Sequence, residues 1–380
     1  MQLVLNEDQE LLAKTAADFV ADKAPVSHMR KLRDEQSSDG FSRALWKEMA
    51  ELGWVGIPFA EKHGGSEMGL AEMAVVLEPL GRTLAPEPFL STVLLGGRAL
   101  ALGGTEKQQL DWLPPAIEGD RFLALAYQER ISRFALNRVG TRAEADGEGW
   151  RITGEKIQVL DGGVADALVV STRTHGAERD ADGITLFLVP HDAPGLSVQR
   201  QHRVDSRNSA LIKLDGVAVG REAILGELGQ GGALLERVID GATVGLCAEM
   251  LGAMSEAFDR TLEYLKTRKQ FGAPIGSFQA LKHRAAEMFI EIELCRSTVM
   301  AAARGVDADD PESALLVSLA KARCSDAAIQ VANEAIQMHG GIGMTDEHDI
   351  GFYLKRARVA EMTFGDSAYH RDRWARLSGY

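Results

Sequence analysis

The sequence predicts an α+β multidomain protein: a helical N-terminal domain, a central antiparallel β-domain and a C-terminal four-helix bundle. Two observations carry this. Apolar residues recur at helical spacing in the first and last thirds of the chain, while short runs rich in β-branched residues fill the middle. A third is length, since 380 residues are too many for one compact core.

The domains fall at 1–120, 121–228 and 229–380. In the first, Asn6 and Gln9 stand at capping-box spacing, and Leu11, Leu12, Ala16, Phe19 and Val20 repeat helically until Pro25. FSRALWKEMAELG gives a second helix, with Leu45, Met49 and Leu52 on one face and Gly53 as its stop. AEMAVVLEPLG and TEKQQLDWL give two more. In the second domain, RFLALAYQ, GWRITGEKIQVL, DALVVSTRT, ITLFLVP, LSVQRQH and ALIKLDGV are separated by turns such as ADGEG and DAPG. That spacing predicts a sandwich or a barrel. The third domain holds four long amphipathic helices, the second of them with Ser277 as its expected N-cap. GELGQGGALLERV lacks GxGxxG and a following βαβ unit, so it is a linker into the first of these helices.

A net charge of −13 excludes a nucleic-acid backbone or an anionic membrane surface as partner, because both need a basic patch. The local cluster LKTRKQF leaves small anions as ligands. Cys247, Cys295 and Cys324 have no CxxC spacing and sit in helical apolar patterns, which predicts buried free thiols and a reducing cytoplasm. MQLVLNEDQE has no basic n-region, so no signal peptide is expected, and no apolar stretch approaches the roughly 20 residues of a membrane span. His283, His339, His348 and His370 fit no metal spacing, and no GxSxG elbow supports a hydrolase.

Two motifs remain. In RKQFGAPIGSFQ, Arg268 ends a helix beside a Gly-Ala-Pro turn; guanidinium there suits a pyrophosphate, and equally suits a plain helix corner. In QMHGGIGMTDE, Gly340 and Gly341 end another helix, either as a C-cap or as a close approach for a cofactor.

Together these motifs, at their mutual distance within the third domain and with a β-domain between helical domains, resemble the acyl-CoA dehydrogenase family over essentially the whole chain. The resemblance implies FAD held between subunits of a homo- or hetero-oligomer, dimer or tetramer. It implies an acyl-CoA substrate, loss of the α-proton to a carboxylate base, and an electron-transferring flavoprotein as acceptor. It places Arg268 and Gln270 on the FAD pyrophosphate of a neighbouring subunit, and Phe271, Gln279, Gln337, Gly340 and Gly341 along its ADP half. The family's Thr-Glu-Pro loop is replaced by YQERISRFALNRV, where Glu129 is kept and Gln128 offers a hydrogen bond to flavin. Gln158-Val159-Leu160 replaces the family's aromatic-Ile-Thr stretch.

The base is the largest departure. Counted from HGGIG, the family's glutamate register falls on Phe364, and the alternative register on the preceding bundle helix falls on Ala242. Asp240 is about 200° round the helix from that register. Asp366 is the fallback base. Neither Phe364 nor Ala242 accepts a proton, and losing a general base costs about 10²–10⁴-fold in rate. Three readings follow: the base-lacking subunit of a heteromeric dehydrogenase of the kind that handles pimeloyl-CoA-like substrates, a self-sufficient homo-oligomer using Asp366, or a non-catalytic binder of acyl-CoA or of a partner chain.

Overall fold

The structure, a computed structural model, describes residues 3–380. Its helices begin with α1 (Glu7–Lys23), α2 (Val26–Asp34), α3 (Arg43–Glu51), α4 (Leu70–Arg82), α5 (Arg98–Gly103) and α6 (Glu106–Ile117). Strands β1 (Leu123–Ala126), β2 (Arg142–Asp146), β3 (Gly149–Leu160), β4 (Ala167–Arg173), β5 (Ile184–Pro190), β6 (Leu196–His202), β7 (Asn208–Val219) and β8 (Ile224–Leu225) follow. Then come α7 (Gly231–Thr267), α8 (Gln279–Asp307), α9 (Ser313–His339), α10 (Ile350–Met362) and α11 (Ser367–Leu377). By its own contacts the chain sorts into two compact units. One takes the chain up to Lys31, Gly69–Ala85 and Thr243–Tyr380; the other takes Leu32–Met68 and Pro86–Ala242.

The unit that holds the sheet orders its strands β6-β7-β3-β2-β4-β5-β8, with β1 beside β4. Hairpin-linked neighbours are antiparallel, as the turn spacing predicts, but β1 runs parallel to β4 and β2 meets β4 in parallel at Arg142 and Arg173. A strand that enters the sheet through a long connection is not bound to a hairpin's direction. Ile152, Leu168, Val170, Phe187, Val189 and Ile212 form the apolar side of the sheet. In the same unit Trp46 packs edge-on against Phe89, ring centres 4.9 Å apart.

An ion pair lies inside this unit. A β-bulge in β3 separates Lys156 from Val159, so Lys156 points inward while Gln158 is exposed with φ 52°. Lys156 Nζ donates to Glu129 Oε1 at 2.7 Å and to Ser171 Oγ at 3.0 Å. Glu129 also accepts from the Gly140 and Thr141 amides at 2.8 and 3.0 Å. Burial, opposed by Glu129, pushes Lys156 down to about 8. Burial would raise Glu129, but Lys156 and the Thr141 bonds outweigh it and hold its carboxyl below the usual range. Glu129→Gln strands the ammonium, so thermal unfolding should show a loss of about 3–5 kcal/mol.

In the other unit α1 packs on α4, α4 on α8, and α8, α10 and α11 on α9. The capping box forms as the spacing predicts, with Asn6 Oδ1 accepting from Gln9 N at 2.8 Å. Asp307 at the end of α8 accepts from Leu70 N and Ala71 N at 2.7 and 2.9 Å, satisfying orphan amides of α4. Ser277 differs from expectation. Its hydroxyl donates back to the Pro274 carbonyl at 2.7 Å, so α8 starts after Phe278 with no side-chain cap. The three cysteines are buried and free. α7 has an 18-residue window apolar enough to cross a membrane by composition, but 89% of that window is buried inside the fold, as in a core helix.

Candidate active site

Both sequence motifs lie at one end of the helical unit. Tyr264 in the last turn of α7 stacks on His339 at the end of α9, with ring centres 4.5 Å apart, and Arg284 of α8 pairs with Glu334 of α9. Between α7 and α8 the chain forms a small hairpin, β9 (Lys269–Gln270) and β10 (Ala273–Pro274). Phe271 turns it with φ 54° and is 92% exposed, its ring edge-on to Phe278. Arg268, Gln270, Gln279, Gln337, Gly340 and Gly341 are exposed as well.

Among the described residues the Arg268 side chain makes no hydrogen bond or ion pair. Gln270 Nε2 only reaches back to the Lys269 carbonyl. Nothing lies within 4 Å of where a Cβ would stand at Gly340 or Gly341, and Gly340 has φ +63°. Met344 is 79% exposed beside them in sequence. A free guanidinium, bare backbone and exposed aromatic and thioether groups suit an anion followed by a flat ring. In the sheet-bearing unit, Gln128 is half-buried, its Nε2 3.4 Å from the Arg133 carbonyl, and its own carbonyl accepts from Ile157 N.

The turn between α10 and α11 carries the base register. Phe364 is 7% exposed and has φ 64°, a rare conformation for a bulky residue. Gly365 follows with φ +118°, where a Cβ would stand 2.4 Å from Tyr369. Asp366 is the N-cap of α11, its Oδ1 accepting from Tyr369 N at 2.8 Å. Ala242, the other register, is fully buried. Glu361 lies within 3.6 Å of Arg358.

Two residues that sequence reasoning passed over hold this turn. Lys321 Nζ, on α9, donates to Ser325 Oγ at 2.9 Å, to the Glu361 carbonyl at 2.9 Å and to the Gly365 carbonyl at 2.7 Å. The His370 Nε2–H donates to the Phe364 carbonyl at 3.1 Å, which fixes the tautomer. Burial pushes Lys321 down to about 8 against the pull of nearby thiols and carboxylates. Burial, then Lys321, pushes His370 down to about 3, so the ring is neutral. The available signal for Lys321 was its place on the apolar face of α9, in line with Val317, Cys324 and Ala328.

Lys321 makes stability depend on pH. Between about 8 and the ordinary 10.5 the unfolded chain binds more protons than the native one, so stability rises with pH. Urea titrations should show the native sequence gaining up to roughly 3 kcal/mol relative to Lys321→Met across that window.

Comparison with known proteins agrees with this architecture. The chain matches the acyl-CoA dehydrogenase N-terminal domain at residues 6–120, the middle domain at 124–217 and the C-terminal domain at 229–378. It is 31% identical over 377 residues to the probable acyl-CoA dehydrogenase YngJ of Bacillus subtilis, covering 98% of each chain. Among solved structures it is similar to a chain of the ChsE4-ChsE5 complex from Mycobacterium tuberculosis, with 30% identity, TM-score 0.90 and 100% of both chains covered. It is also similar to a chain of the Tcur3481-Tcur3483 steroid ACAD, with 31% identity, TM-score 0.87 and 98% of both chains covered. The three matched domains and the fold define an FAD-dependent oxidoreductase acting on CH–CH bonds. The chain belongs to the acyl-CoA dehydrogenase family, whose reaction is α,β-dehydrogenation of an acyl-CoA thioester.

Proposed function

We propose that this chain is the base-lacking subunit of a heteromeric acyl-CoA dehydrogenase. The observation that carries the reading is the α10–α11 turn: Phe364 is buried at the register of the family's carboxylate, and Asp366 is engaged as a helix cap. A base must lie within hydrogen-bond reach of the proton it removes. Two of the similar structures named above pair two different chains, ChsE4 with ChsE5 and Tcur3481 with Tcur3483, which supports assembly with a second chain. α8 leaves Phe289, Ile290 and Leu294 largely exposed, apolar surface suited to such an assembly.

Bound FAD supplies the hydride acceptor. This chain's part is to bind and orient. Arg268 and Gln270 would hold the diphosphate of the FAD bound mainly by the neighbour, Phe271, Gln279 and Gln337 would cover its ADP half, and Gly340 and Gly341 would offer it bare backbone. Gln128 offers an amide to the flavin of the chain's own side. A carboxylate on the partner chain would take the α-proton of the acyl-CoA while its β-hydride would go to the bound FAD, and an electron-transferring flavoprotein in the cytoplasm would receive the electron pair.

The deciding measurement is the visible spectrum of the purified chain with a panel of acyl-CoA esters, alone and mixed with a candidate base-bearing partner. Bleaching is expected only in the mixture; bleaching by the chain alone overturns the reading. Asp366→Asn keeps the cap, because Asn caps as well as Asp, and should leave turnover of the mixture unchanged. Turnover lost with flavin retained would instead make Asp366 the base. Arg268→Gln, which breaks no bond within the described residues, should weaken flavin retention by roughly tenfold or more, read by gel filtration with absorbance detection.

A further inference from the structure

The helical unit contains a cavity of about 440 Å³ lined by none of the residues assigned to the cofactor or to the base register. Its walls are α1 and α8 and its floor is α4, presenting Ala13, Ala17, Ala74, Val299, Met300 and Ala303. That volume lies within the range of small-molecule sites. Most of the lining is hydrocarbon, so water gains few partners along the slot and burying an alkyl chain there is favourable.

The rim decides what fits. Three arginines reach it, and two are neutralised. Arg296 pairs with Glu78 at 2.6 Å, and Arg82 pairs with Glu256 and Asp259 at 2.8 and 2.7 Å. The third, Arg304, donates only to the Val4 carbonyl at 2.7 Å and to Gln9 Oε1 at 3.5 Å. Gln9 is itself tied to Glu72 through Nε2 at 2.8 Å. Among the described residues no carboxylate lies within 4.0 Å of Arg304. One unneutralised guanidinium therefore stands at the mouth of a hydrocarbon slot, with fork geometry matched to a carboxylate.

We propose that this cavity is a binding site for an aliphatic monocarboxylate, its head on Arg304 and its chain along α1, α4 and α8. The site is separate from the flavin-facing residues and does not depend on how the chain assembles for catalysis.

The test is titration calorimetry on the full purified chain with hexanoate, octanoate and octanol. Octanoate should bind at one saturable site, about fifteenfold more tightly than hexanoate, because each of two further buried methylenes adds about fourfold. Octanol, lacking the charge, should bind roughly tenfold or more weakly. Arg304→Gln should bring octanoate down to the level of octanol, Arg304→Lys should restore part of the difference, and Ala17→Phe should abolish binding by filling the slot. Octanoate binding unchanged in both Arg304→Gln and Ala17→Phe, or octanol matching octanoate, overturns the proposal, as does absence of any heat with millimolar octanoate. Should Ala17→Phe fail to melt cooperatively, the Arg304 pair and the chain-length series still decide.

Discussion

A buried ammonium needs acceptors, and Lys321 takes two of its three from backbone carbonyls of one turn. Because Glu361 and Gly365 must both present their carbonyls to the same nitrogen, the turn after α10 has little freedom. His370 takes the carbonyl between them and Asp366 closes the next helix. The left-handed backbone at Phe364 is the outcome: a conformation costly for an aromatic residue persists when its surroundings over-determine it. The aromatic ring at the base register is thus a fixed part of the fold.

The sheet-bearing unit follows the same rule. Lys156 is buried, and its partner Glu129 spends the rest of its capacity on two amides. In both places a buried ammonium finds all its acceptors within the chain. The face formed by the α7–α8 hairpin and the end of α9 is the opposite case, with a free arginine, bare glycine backbone and a phenylalanine ring held out in solvent. Scaffolding complete within, and binding groups left open without, is the physical contrast that favours a chain which lends residues to a neighbour.

The elements were largely legible in the sequence because their signals are local. The Asn6–Gln9 cap, the return from strand period to helical period near residue 229, and the glycines after His339 each depend on a few adjacent residues. Ser277 was misread because its hydroxyl had two local choices, and the Pro274 carbonyl won over the helix amides. The parallel placement of β1 and the packing of α1 and α4 with the later helices depend on partners far along the chain. Lys321 looked like any helical lysine until α10 and α11 were laid against α9.

By itself the sequence determined the order of helices and strands, the two glycine-bearing motifs and the absence of an acid at Phe364 and Ala242. These are properties of residue type and spacing. Tertiary structure alone decided that Lys321 of α9 locks the turn after α10, and that Arg304 stands without a counter-charge beside an apolar cavity. Each of those depends on which distant groups come within about 3 Å, a matter of packing that no run of neighbouring residues encodes.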